Sequence, residues 1–168
     1  PLVDNAQSFS VYKSSIITYV AIDTKSGKQI AGLYRDGDSA LHTVRIAGNK
    51  NSTLHIVTTH YFNENYIAIS EDKKIDILSG SYPNTADESL TSMKLIGSFD
   101  SKENIQKLSF SPTGEYVLVQ SGTYFSSYDL EYQTVASSVI NVDNSTLSIK
   151  WLDDNHLWYN EGDKLGIC

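Results

Sequence analysis

The stretch from Ile105 to Ser138, IQKLSFSPTGEYVLVQSGTYFSSYDLEYQTVASS, constrains the fold more than any other part of the chain. Leu108 and Phe110 alternate with Lys107 and Ser109, the period of a strand with one buried face. Ser111-Pro112-Thr113-Gly114 then forms a turn, because proline presets φ and glycine tolerates a positive φ at the end. Tyr116–Val119 is apolar on both sides, as a strand covered above and below must be. A third strand follows over Tyr124–Leu130 and a fourth over Thr134–Ser138.

The same apolar–turn–apolar unit recurs. Phe9 and Val11 alternate with serines, a turn falls at Ser14-Ser15, and Ile16–Ile22, Gln29–Tyr34 and Leu41–Ile46 complete a first set of four strands. Leu54–Phe62, Tyr66–Ser70, Lys74–Leu78 and Met93–Phe99 make a second set. A polar insertion, Ser79–Thr91, interrupts that set and reads as a surface loop. Leu147–Leu152, His156–Asn160 and Lys164–Cys168 begin a fourth, with a turn at Glu161-Gly162-Asp163. The first turns of the four sets lie at Ser14-Ser15, Glu64, Thr113 and Asp154, a spacing of roughly 40 to 50 residues. That is the period of β-propeller blades, in which each flat sheet is buried only by its neighbours.

The sequence therefore predicts an all-β fold, a β-propeller-like array of four-stranded antiparallel blades. The blades span residues 8–47, 54–99 and 105–139, with a partial fourth over 147–168, in a single domain or fragment covering 1–168. A β-sandwich is the alternative, although it gives no repeat at this period. The expected core is Phe9, Val11, Ile17, Ile67, Ile69, Leu108, Phe110, Val117, Val119, Ile149 and Trp151.

Phe110, Ser111, Pro112, Gly114, Val117, Tyr128 and Asp129 place this blade close to a known pattern. The stretch resembles the blade motif of TolB-type and WD-repeat-like bacterial β-propellers. Trp151, Asp153, Asp154, His156, Leu157 and Trp158 are similar to a segment of envelope propellers that accompany PEGA domains, though no PEGA domain is recognisable here. The resemblance implies a fold and a location, the bacterial cell envelope or extracellular face, and says little about activity.

Composition narrows the partners. A net charge of −7 without a lysine or arginine cluster makes nucleic acid and anionic lipid poor partners. One cysteine, Cys168, permits neither an internal disulfide nor a cysteine zinc site. No apolar run approaches the length of a transmembrane segment.

The chemistry-bearing residues do not assemble into a known motif. His55 and His60 fall on opposite faces of one strand, which is wrong for joint metal ligation. His156 follows Asp153 and Asp154 closely, and a turn-stabilising hydrogen bond is the reading preferred over a general base. Ser26-Gly27-Lys28 lacks the upstream glycine of a phosphate loop, Ile22 standing there instead. Asp36-Gly37-Asp38 and Asp153-Asp154-Asn155 offer oxygens to calcium without the spacing of an EF-hand. Asn51-Ser52-Thr53 and Asn144-Ser145-Thr146 fit the glycosylation pattern, which carries no meaning if the protein is bacterial.

The expectation is a non-catalytic scaffold with no cofactor and no metal, binding a protein, peptide or glycan as part of a larger envelope-associated protein. Tyr82, Tyr124, Phe125, Trp158 and Tyr159 are its candidate interaction surface, with Tyr61 a further exposed aromatic. The alternatives are part of a propeller hydrolase using Asp129, Asp153 and His156, or a structural spacer. With the fourth blade incomplete, the chain is expected to pair with a further chain segment or to self-associate, using Lys164–Cys168 as an edge.

Overall fold

A computed structural model describes residues 3–83, 92–141, 147–161 and 164–168. The described residues form fifteen strands in four antiparallel sheets. The first sheet holds β1 (Ala6–Tyr12), β2 (Ile16–Ile22), β3 (Gln29–Arg35) and β4 (His42–Ile46). The second holds β5 (Leu54–Tyr61), β6 (Glu64–Glu71), β7 (Lys74–Gly80) and β8 (Met93–Asp100). In the third are β9 (Lys107–Phe110), β10 (Tyr116–Ser121), β11 (Tyr124–Asp129) and β12 (Thr134–Val139). The fourth has three strands, β13 (Ser148–Trp151), β14 (Leu157–Glu161) and β15 (Lys164–Ile167). Every strand pairs with its neighbour in sequence, so each sheet is a simple meander.

Tight turns set these registers. Lys13 and Ser14 both take positive φ between β1 and β2, the backbone twist that suits a two-residue hairpin. Gly114, at φ 88°, closes the turn before β10 through its N–H to the Ser111 carbonyl, 2.9 Å. A side chain there would also collide with Thr59, so the turn lies directly against β5.

The sheets are buried by one another in sequence order. Val20 and Leu33 of the first sheet pack with Ile56, Ile67 and Ile69 of the second. Ala68, Ile75 and Ile77 of the second pack with Leu108, Val117 and Val119 of the third. Leu118 of the third packs with Ile149 and Leu157 of the fourth. Middle strands such as β6 and β10 are thus covered on both faces, which accounts for their unbroken apolar sequence.

Two core expectations are overturned. Phe9 is 74% exposed and Val11 53% exposed, because the face they share carries no neighbouring sheet. Ile17, Phe110 and Trp151 are half-buried, whereas Ile67, Ile69, Leu108, Val117, Val119 and Ile149 lie in the core. The Ser79–Thr91 insertion is not wholly a surface loop, since Tyr82 and Pro83 are buried; its residues 84–91 lie outside the described residues. So do Asn144-Ser145-Thr146 and the Gly162-Asp163 turn. No helix among the described residues is long and apolar enough to cross a membrane.

Candidate functional site: a groove along the first strands

The first strands of three sheets, β1, β5 and β9, border a groove of about 580 Å³. Alternation in β1 builds one wall. Ser10 pairs with Thr18, whose Oγ1 donates to the Ile56 carbonyl of β5 at 3.1 Å, so Ser8 and Ser10 face the second sheet. Phe9 and Val11 point from the opposite side of the strand. Small hydroxyl side chains on the inner side leave the space that larger ones would fill.

The other walls mix apolar side chains, among them Ile56, Val57, Leu108 and Phe110, with polar groups that are held in place. His55 Nε2 lies 2.9 Å from the Ile105 carbonyl, an acceptor only, so this nitrogen carries the proton. Burial pushes the His55 pKa down, keeping the ring neutral, although the bond to Ile105 works against that shift. Lys107 Nζ donates to the Ile149 carbonyl at 3.1 Å, and its pKa is lowered by burial and by the charge of Lys150. Tyr12 OH accepts from the His60 N–H at 3.1 Å. Burial raises the Tyr12 pKa, but Lys13, Thr59 and His60 outweigh it and hold the hydroxyl below its ordinary value.

The aromatic residues singled out from sequence do not gather at this groove. Tyr82 is buried instead of exposed: its OH lies 2.6 Å from Thr58 Oγ1, and Arg35 sits over its ring. The insertion folds back onto the first sheet, with Arg35 donating to the Pro83 carbonyl at 2.6 Å, a contact that no local pattern announces. Phe125 and Tyr159 pack together into the core between the third and fourth sheets. Tyr124 lies under Lys102, and Trp158 under Lys150, both half-buried. Tyr61 packs against the core between the second and third sheets. The groove residues Ser8, Ser10, Tyr12 and Lys107 were not singled out, because the groove arises between sheets. The small serines alternating with Phe9 and Val11 were the one available signal.

The acidic turns are occupied by their own loops. Asp153 accepts from the Asn155 and His156 N–H groups at 2.8 and 2.9 Å and lies 3.0 Å from the His156 ring, the turn-stabilising bond expected. Asp154 accepts from Thr113 Oγ1 at 2.8 Å, tying the fourth sheet's first turn to that of the third. Asp129 accepts the Glu131 and Tyr132 N–H groups, each at 2.9 Å. Asp38 accepts from Arg35 and lies 3.1 Å from the buried His42. Burial raises the Asp38 pKa, but Arg35 more than offsets it. Among the described residues no three histidine, cysteine or carboxylate side chains form a group suited to a metal ion.

No family model matches the chain, and no curated protein matches it. Among solved structures, the chain is similar in fold to one from the yeast heterotrimeric Nup82-Nup159-Nup116 nucleoporin complex, with a TM-score of 0.51 and 12% identity. The match covers 98% of this chain and 42% of that one, so this chain spans less than half the length of its neighbour. At this identity the likeness is one of fold alone.

Proposed function

We propose that this chain is a β-propeller-type, non-catalytic scaffold whose groove receives an extended segment of a partner protein, as part of a larger bacterial envelope-associated protein. One observation carries the reading: β1 is an edge strand that borders the groove. β1 pairs with β2 alone, so alternate residues turn backbone donors and acceptors away from their sheet. Strand addition at such an edge supplies main-chain hydrogen bonds, while neighbouring side chains supply selectivity. Ser8 and Ser10 add hydroxyls on the flanking wall, and Tyr12 and Val57 add apolar surface. The hydrolase alternative draws on Asp129, Asp153 and His156, and these side chains are engaged in holding their own turns.

Selection of a randomised peptide library on the immobilised protein, followed by NMR titration of the selected peptide, tests the proposal. Amide shifts along Ala6–Tyr12 and loss of binding in Ser10→Trp, with Val135→Asp on the exposed β12 unaffected, are the expected results. Failure to enrich any peptide, or binding confined to a glycan array, would overturn it.

A further inference from the structure

The outer edges of the first three sheets are not alike. Among the described residues β4, β8 and β12 each end a sheet, paired with a neighbour on one side alone. The register of β4 against β3 shifts at Val44, which is left unpaired, and Arg45 stands beside it. The register of β8 against β7 shifts likewise at Ile96, and β8 also carries Lys94 and Asp100. A bulge or a charge on an edge keeps a further strand from adding to it. β12 has neither. Its pairing with β11 runs without a shift from Asp129–Thr134 to Tyr124–Val139, and no residue in it is charged. The whole strand is exposed, Val135 and Val139 included.

The phase of the ladder fixes which backbone groups this edge offers. Ile140 N–H donates to the Thr123 carbonyl at 3.0 Å, one step beyond the Tyr124–Val139 pair. Antiparallel strands alternate, so Ser138, Ala136 and Thr134 also turn their N–H and C=O groups onto β11. Val139, Ser137 and Val135 turn theirs outward. These outward residues read the same in both directions about Ser137, a valine on either side of a serine. Set antiparallel to itself about that point, the strand places Ser137 opposite Ser137, and Val135 of each copy opposite Val139 of the other. Valine then meets valine, the kind of cross-strand pair that stabilises a sheet. The chain carries a net charge of −7, which opposes self-contact over much of its surface, but β12 adds no charge to such a contact.

We propose that β12 is a self-association edge, on which two copies of this chain pair antiparallel about a two-fold axis at Ser137 and join their third sheets into one continuous sheet. The occupant is a second copy because the edge is complementary to itself in register, side chain and charge, as an isologous contact requires. Every outward N–H and C=O of Val135, Ser137 and Val139 finds a partner in that register. The inference does not rest on the peptide reading. In the third sheet β12 and the groove strand β9 are opposite edges, so both contacts can form at once.

Sedimentation velocity over a wide concentration range tests it. The wild type is expected to move from 18.6 kDa to twice that mass as concentration rises. Ser137→Pro deletes an outward N–H and leaves the ladder to β11 its own bonds, so it should weaken association more than about tenfold while circular dichroism stays unchanged. Ser137→Lys sets two ammonium groups face to face on the axis and decides the matter if the proline variant loses its fold. Register is read by cross-linking in a Cys168→Ser background under a mild oxidant. Ser137→Cys places two thiols on opposed residues about 5.5 Å apart at Cα, within disulfide reach, and should give a covalent dimer. Val135→Cys stands opposite Val139 and should not. A wild type that stays at 18.6 kDa throughout overturns the proposal. So does a dimer that a folded Ser137→Pro or Ser137→Lys variant leaves intact, or a cross-link that forms in V135C and not in S137C.

Discussion

Arg45 on β4 reaches across the boundary between the first two sheets to Asp76 on β7, Nη2 to Oδ2 2.6 Å. Asp76 is nearly buried and also accepts from Ser98 Oγ at 2.6 Å. Burial alone would raise its pKa, but the bonds from Ser98 and Arg45 prevail and hold the carboxyl below the usual range. A carboxylate whose folded pKa is depressed adds stability above its unfolded value, near 3.9, and loses it as pH falls through the folded value. Arg45→Ala leaves Asp76 with the Ser98 hydroxyl and the more distant Lys74, whose Nζ lies 3.8 Å away. Its cost should be about 1.5–3 kcal/mol, that of a lost hydrogen bond to a charged group. Urea unfolding at neutral pH measures this, and at the acid end of the range the variant and wild type should converge.

Among the side chains that join the third and fourth sheets, Gln120 makes two bonds at once. Gln120 Nε2 donates to the Leu147 carbonyl at 2.7 Å, and its Oε1 accepts from the Ile149 N–H at 3.3 Å. Gln120 is 3% exposed, so removing its amide leaves two backbone groups of the fourth sheet with no water to replace it. Gln120→Ala should cost about 1–3 kcal/mol for each group left unsatisfied. Hydrogen exchange should quicken at Ile149 while Ile67 and Ile69 in the second sheet stay protected.

Much of this architecture is legible in sequence because it depends on local order. Alternation around Leu108 and Phe110, the Ser111-Pro112-Thr113-Gly114 turn and the unbroken Tyr116–Val119 run are properties of adjacent residues, and β9 and β10 form there. Asp153 and His156 are likewise three apart, and their bond could be anticipated. What sheets do to one another is not local. Phe9 and Leu108 sit in similar patterns, yet one is bare and the other buried, since only Leu108 has a sheet in front of it. Tyr82 reads as a surface aromatic until the insertion folds back to bring it against Thr58. The groove belongs to the same class, as its walls come from three strands far apart in the chain.

Gly80 and Gly37 both have positive φ, 144° and 92°, but differ in surroundings. A Cβ on Gly80 would overlap the Ser92 carbonyl oxygen, a backbone atom of the paired strand end, whereas one on Gly37 meets nothing. Alanine at either position adds backbone strain of about 1–3 kcal/mol. Only Gly80→Ala must also displace the entry to β8. Thermal unfolding should therefore rank Gly80→Ala clearly below Gly37→Ala, and equal losses would show that the Ser92 backbone yields freely.

His55 provides the pH test. Its ring is held by the Ile105 carbonyl of the next sheet, and burial depresses its folded pKa. Between the folded value and the unfolded value near 6.5, the unfolded chain binds the extra proton. Stability is therefore complete above that unfolded value and declines as pH falls toward the folded one. His55→Gln keeps an N–H donor for Ile105 but cannot titrate. It should flatten the wild type's decline in unfolding free energy over the mildly acidic range, leaving the fall driven by Asp76 at lower pH in place. Nitrogen-15 shifts of the His55 ring should show a neutral imidazole protonated at Nε2 through the same range. An imidazolium signal at the ordinary histidine midpoint would mean that the bond from β5 to the third sheet does not hold in solution.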